Sequence, residues 1–331
     1  MDLIDRVGAV LAPETATTED TATTEDTATT ERPEPHRLLL VHAHPDDEVT
    51  TTGVTMARAV ADGAHVTLVT CTLGEEGEIV VDDLKHLGAD RDGGLGEYRI
   101  GELNAALGAL GVTDSLRLGH DGKYRDSGMA TDDQGRVVPV DLVHDEAFWR
   151  ADLREAATDL VPVIRDRRPE VLITYDDYGN YGHPDHIQAH RVAMYAAQLA
   201  AIPAYRPDLG EAWQVRRILW TTMSESWMRE GLRQMRAAGD TESWGGMDPE
   251  GPMPPMVRPD DQIALTVSAP ELVDRKLDAF RAHRTQISFD SPFFQMAETY
   301  PQAWANEWFV HAGGEALPAG ATDIFAGLRD E

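Results

Sequence analysis

The feature that most constrains this chain is a repeated alternation between short apolar runs and longer stretches of helical periodicity. Arg37-Leu-Leu-Leu-Val-His42 is apolar throughout its middle, as a strand buried on both faces must be. A helix is expected over 48–62, a second strand over 65–72, and a helix over 97–110 that Gly111 ends. The pattern continues with a short strand at 115–118, a helix over 147–167, the buried strand 170–175 and a helix from about Pro184. A strand at 216–222 and a helix at 224–238 follow, then a Gly, Pro and Met-rich loop at 240–260. A strand at 263–267, a helix at 270–285 and a last extended segment at 308–310 complete the series. Such alternation predicts an α/β fold: a doubly wound, mostly parallel, Rossmann-like sheet with helices on both faces. Ligands of these sheets lie beyond the carboxyl ends of the strands, so function is to be sought just after each strand.

Residues 1–35 stand outside this pattern. The segment Thr15–Asp20 recurs as Thr21–Asp26, and residues 1–35 carry nine acids against two bases. A tail so poor in apolar residues cannot offset its ordering entropy and is expected to be disordered, leaving 36–331 as one domain. The net charge of −29 excludes the basic face that nucleic acids or anionic membranes require. A small neutral or cationic substrate suits it. No signal peptide or membrane-length apolar run is apparent, and the one cysteine, Cys71, sits in a strand-like run where a buried thiol is expected. These features predict a cytoplasmic protein.

Two strand ends carry chemistry. The first runs into His44-Pro-Asp-Asp-Glu48, and that at 170–175 into Asp176-Asp-Tyr-Gly-Asn-Tyr-Gly-His-Pro-Asp-His186. Helix capping accounts for Pro45, Pro184 and the acids, but not for His44, His183 and His186. Imidazoles mixed with carboxylates at two strand ends predict a metal site. Two histidines and one carboxylate leave a cation positive enough to acidify bound water, and a carboxylate outside the ligand set can take the proton. Asp46 and Asp47 could divide these tasks. Spacing leaves the second histidine open: His186 and His190 share a helical face, and His183 precedes the helix. His42 shares the face of His44 on its strand.

With these motifs, the chain resembles the LmbE-like family of zinc-dependent N-deacetylases. Thr70–Glu78, Tyr98–Leu103 and Tyr124–Met129 bring it close to the branch that deacetylates N-acetylglucosaminyl-inositol in mycothiol biosynthesis. The resemblance implies His44, Asp47 and His186 as ligands of one Zn²⁺ per subunit, with Fe²⁺ also suited to the set, and Asp46 as general base. It implies His183 as acid or electrostatic stabiliser, Asp185 as the group orienting it, and Tyr181 as hydrogen-bond donor to the oxyanion. Arg99 and Asp126 fall in segments that contact sugar and inositol hydroxyls in the family, and His190 takes a supporting place. The substrate implied is a small amino-sugar inositol.

Other readings are weaker. The sister amidase of mycothiol S-conjugates shares the core motifs, but residues 73–78 and 124–129 favour the deacetylase. A non-haem iron oxygenase uses a similar triad, usually on a β-sandwich. A phospho-receiver needs no histidines, and no G-x-G-x-x-G follows the first strand to bind a dinucleotide.

Overall fold

β1 (Arg37–His42) alternates its side chains between two cores, which is why it is apolar without a break. Leu38 and Leu40 enter one, Leu39 and Val41 the other. The structure, a computed structural model, describes residues 34–141, 143–288, 290, 294 and 301–328. The tail expected to be disordered falls almost wholly outside these residues.

In chain order, α1 (Asp47–Ala61), β2 (His65–Thr70), α2 (Leu95–Leu110) and β3 (Asp114–Arg117) follow β1. A small hairpin, β4 (Ala130–Thr131) and β5 (Val137–Val138), precedes α3 (Leu153–Arg167), β6 (Val171–Thr174) and α4 (Pro184–Ala200). Then come β7 (Arg217–Ser224), α5 (Glu225–Ala237), β8 (Val257–Arg258), β9 (Leu265–Ser268), α6 (Val273–Ala282) and β10 (Asn306–Gly314). The main sheet runs β3-β2-β1-β6-β7-β10-β9, with β8 beside β7. The stretch from β3 to β7 is parallel, whereas β10 pairs antiparallel with both β7 and β9. The expected doubly wound sheet is therefore present, with an antiparallel edge. α1, α2 and α6 pack on the face reached by Leu38 and Leu40; α3 and α4 cover the other through Leu160, Ile164, Ala189 and Val192.

Three boundaries differ from the expectation. The helix expected from 147 begins at Leu153, because Asp152 caps it by accepting from the Glu155 N–H at 2.9 Å. α6 stops at Ala282, where His283 turns away. The 240–260 segment is not plain loop: it contains β8, and its Met247, Met253 and Met256 pack with Trp244 around Met228 and Leu232 of α5. Cys71 is buried, as expected, and no described helix is long and apolar enough to cross a membrane.

The strand order reverses between β1 and β6. From β1 the chain crosses over towards β2 on one side, and β6 leads to β7 on the other. The carboxyl ends of these neighbours thus open a crevice where a doubly wound sheet binds its ligands, and both histidine motifs emerge there.

Candidate metal centre and active site

The turn after β1 carries His44, Asp46 and Asp47, and the segment after β6 carries Tyr181, His183, Asp185 and His186. All but Asp46, Asp47 and Tyr181 are buried. Ligand atoms of His44, His183 and His186 lie within 4.8 Å of one another, as do those of His44, Asp126 and Asp185. Asp47 bridges the two motifs: Oδ2 is 3.2 Å from His44 Nδ1, and Oδ1 is 3.2 Å from His186 Nε2. Neither ring nitrogen of the buried His186 makes an aligned hydrogen bond among the described residues; Nε2 has only the ion-pair contact to Asp47. A cation shared with His44 and Asp47 would satisfy one of these nitrogens. The donor set of two imidazoles and a carboxylate therefore fits a divalent metal.

The adjacent aspartates are set apart electrostatically. For Asp47, burial is outweighed by His186 and His44, which hold its carboxyl well below the usual range. For Asp46, burial raises the pKa to about 6 despite the Arg99 guanidinium, with Asp47 adding to the rise. His44 is held above its ordinary value because Asp126, Asp185 and Asp47 outweigh burial, whereas burial and then His44 and His186 pull His183 far down. One carboxylate is thus kept ionised among imidazoles, and its neighbour is poised near neutrality. Perturbed carboxylates of this kind cluster at functional sites.

Asp46 also has a strained backbone, with φ 105° and ψ −28°. A non-glycine residue there costs on the order of 1–3 kcal/mol and persists only when its surroundings hold it. Arg99 supplies part of the grip. It is 2% exposed, donates to Gly74 O at 2.8 Å and to Pro45 O, and pairs with Asp46 Oδ2 at 3.1 Å. A Cβ at Gly74 would lie 2.0 Å from the guanidinium, so only glycine leaves it room. Arg99 is therefore packed against the Asp46 turn.

Asp126, 4% exposed, accepts from the Glu76 and Gly128 N–H groups (3.1 and 2.9 Å) and faces His44 Nε2 at 3.5 Å. The Asp185 carboxylate is occupied by the Ser127 N–H at 2.8 Å, the Ser127 hydroxyl and His44 Nε2 at 3.3 Å. What Asp185 gives His183 is its backbone N–H, donated to Nδ1 at 3.1 Å. The physical reason is its place at the start of α4, where His183 is itself the N-cap and the Asp185 side chain turns to Ser127. Tyr181 stands at the rim, 38% exposed, its ring edge-on to His186 at 4.9 Å. His190 bonds Tyr175 O at 3.0 Å, outside the cluster.

Sequence reasoning missed Tyr175. Its hydroxyl accepts from the Ala43 N–H at 2.8 Å and donates to Asp47 Oδ2 at 2.7 Å, and its ring stacks on His186 at 4.2 Å. The strand-end rule applied one residue earlier would have found it. Ser127, next to the expected Asp126, was missed as well.

Beyond Asp47 and His186 lies a cavity of about 190 Å³, lined by Tyr181, Thr222, Met223, Trp244 and Met256 among others. One wall of the crevice is thus charged and hydrogen-bonded, the other largely apolar.

A mostly parallel sheet with a buried polar cluster at its topological switch point is the architecture of a doubly wound α/β enzyme. Residues 39–197 match the family described as PIG-L, GlcNAc-PI de-N-acetylase. A 1D-myo-inositol 2-acetamido-2-deoxy-alpha-D-glucopyranoside deacetylase from a Nocardioides species is 57% identical over 88% of this chain and 98% of its own length. One of the same name from Kribbella flavida is 54% identical with the same coverage. The chain belongs to the GlcNAc-PI de-N-acetylase family, as its motifs implied. Among solved structures, the N,N'-diacetylchitobiose deacetylase of Pyrococcus horikoshii matches with TM-score 0.54 at 18% identity, covering 83% of each chain. A conserved Thermus thermophilus protein matches with TM-score 0.52 at 21% identity, covering 86% of this chain and 98% of its own. These two support the fold.

Proposed function

We propose that this protein hydrolyses the acetamide of 1D-myo-inositol 2-acetamido-2-deoxy-alpha-D-glucopyranoside, releasing acetate and glucosaminyl-inositol for mycothiol biosynthesis in the cytoplasm. The observation that carries this reading is the convergence of His44, Asp47 and His186 at the switch point with Asp46 beside them. Relatives of 57% and 54% identity bearing that activity in their names support the substrate.

His44, Asp47 and His186 would hold one Zn²⁺, or Fe²⁺ in its place. When bound, the ion acidifies water and polarises the amide carbonyl. Asp46, held outside the ligand set, accepts the proton of the attacking water. Tyr181, at the rim beside His186, donates a hydrogen bond to the developing oxyanion. His183, kept neutral by burial and its neighbours, takes up the protonated state only as charge builds in front of it. It, or Asp46 after gaining its proton, then protonates the departing amine. Asp185 and Ser127 fix His44, and the Asp185 N–H orients His183. Arg99, which also holds the Asp46 turn, and Asp126, which also faces His44, would contact the sugar and inositol hydroxyls.

The test is amine release from N-acetylglucosaminyl-inositol, a mycothiol conjugate and free N-acetylglucosamine at matched, measured metal content. The expected order of kcat/KM is that order of substrates, because a site built to bind hydroxyls penalises an analogue lacking them. A conjugate hydrolysed faster than the acetamide would transfer the assignment to the sister amidase.

A further inference from the structure

Arg99 reaches Asp46 from one side, but the Asp46 backbone is held from another by residues at the far end of the chain. The Asp46 N–H donates to Glu48 Oε2 at 2.8 Å. The other oxygen of Glu48, Oε1, meets His283 Nε2 at 2.6 Å, and both side chains are 0% exposed. Glu48 is therefore a fully buried carboxylate whose two oxygens are divided between the strained residue and one histidine. Glu48 has no water to fall back on. If His283 is removed, Glu48 loses the partner that fixes its orientation, and its hold on Asp46 weakens with it.

His283 is itself fixed. It follows the last turn of α6, and its carbonyl accepts from the Gln286 and Ile287 N–H groups at 3.0 and 2.9 Å. Two residues on, Glu102 of α2 clamps Thr285 through its N–H at 2.7 Å and its hydroxyl at 2.6 Å. The Thr285 carbonyl accepts from the Val80 N–H at 2.9 Å. α2 therefore supports Asp46 directly through Arg99, while Glu102 only anchors the turn that follows His283. A residue at 283 anchored only for packing would need no alignment with Glu48; here its one bonded ring nitrogen points at the carboxylate that bonds Asp46.

We propose that His283 is a positioning residue for Asp46, acting through Glu48 to keep the base in its left-handed conformation and aimed at the attacking water. This inference rests on the reading of Asp46 as base. Displacement of a reacting group by about 1 Å costs on the order of 10²-fold in rate, and that is the scale expected here.

The experiment compares His283→Ala, His283→Gln and Glu102→Gln in the full-length, metal-loaded protein, assayed well below each melting temperature with N-acetylglucosaminyl-inositol. Glu102→Gln loosens the turn without touching Glu48, so it reports loss of structure alone. We expect His283→Ala to lose on the order of 10²-fold in kcat, with KM and metal content within about twofold of the parent. His283→Gln, whose amide can still donate to Glu48, should recover most of that loss. Glu102→Gln should lower the melting temperature with far less effect on kcat. If His283→Ala does not fold, His283→Asn, polar but too short to reach Glu48, takes its place with the same expected loss. A crystal structure of the variant should show Asp46 at negative φ. Unchanged kcat, a kcat loss matched by metal loss, a Glu102→Gln loss equal to that of His283→Ala, or Asp46 still at positive φ would each overturn the proposal. An Asp46→Asn variant with parental kcat would instead overturn the reading of Asp46 as base.

Discussion

The two walls of the crevice are built on different principles. On one side Asp46, Asp126 and Asp185 are each tied to at least two partners, and the partners are tied in turn: Arg99 to Gly74 and Pro45, Glu48 to His283, Asp185 to Ser127. On the other side Met223, Trp244 and Met256 meet the cavity with apolar surface, and Tyr181 is exposed at the rim. A densely connected polar network restrains the reacting groups. Methionines, flexible and polarizable, fill space without fixing it. On the function proposed above, chemistry falls to the rigid wall and adjustment to the acyl group to the soft one.

The largest effect expected lies where the walls meet. His186→Ala should abolish metal retention and activity together, as read by metal analysis of the purified variant. Tyr175→Phe removes only the hydroxyl that bonds Asp47, and should weaken metal affinity by about 10–100-fold. A Tyr175→Phe variant with parental affinity would mean that the stacked ring, and not the hydroxyl, is what matters.

A second effect follows from Asp46 in the metal-stripped protein. Its pKa is raised from 3.8 to about 6 by burial, so the folded state favours the neutral acid. The associated stability is fully present below the unfolded value and is lost as pH rises through the folded one. Asp46→Asn should therefore melt higher than the parent at pH 7.5 by a few degrees, with the difference fading by pH 4. Calorimetry at the two pH values checks the sign.

Changes on the soft wall should be smaller. Trp244→Ala should keep metal content and alter the preference between the acetamide and a bulkier conjugate by about tenfold or less, since apolar pockets discriminate weakly per methylene. Removing residues 1–35, an acidic Thr-rich repeat with no capacity to form a core, should leave melting temperature and kcat/KM unchanged.

The rigid wall was also the more legible in the sequence. Periodicity placed β1 and β6, and the strand-end rule led from them to His44, Asp46, Asp47, His183 and His186, because these residues are contiguous with the strands that carry them. Tyr175 escaped because a tyrosine closing a buried strand reads as core until its hydroxyl is located. His283 escaped for a stronger reason: its partner Glu48 is 235 positions away, and no local pattern encodes that pairing. Arg99 and Asp126 were placed near the crevice by resemblance, yet their burial depends on the packing of α2 and of the loop after β2, which spacing cannot report. The Met-rich segment read as loop because its short β8 and its packing on α5 have no periodicity of their own.

In the proposed mechanism the neighbouring aspartates do different work, and Asp46→Asn separates the two roles. Metal content and kcat should be measured on the same preparation, beside Asp47→Ala. The account predicts one metal per chain in Asp46→Asn with kcat reduced on the order of 10²–10⁴-fold, and loss of metal in Asp47→Ala. Equal metal loss from both variants would contradict it.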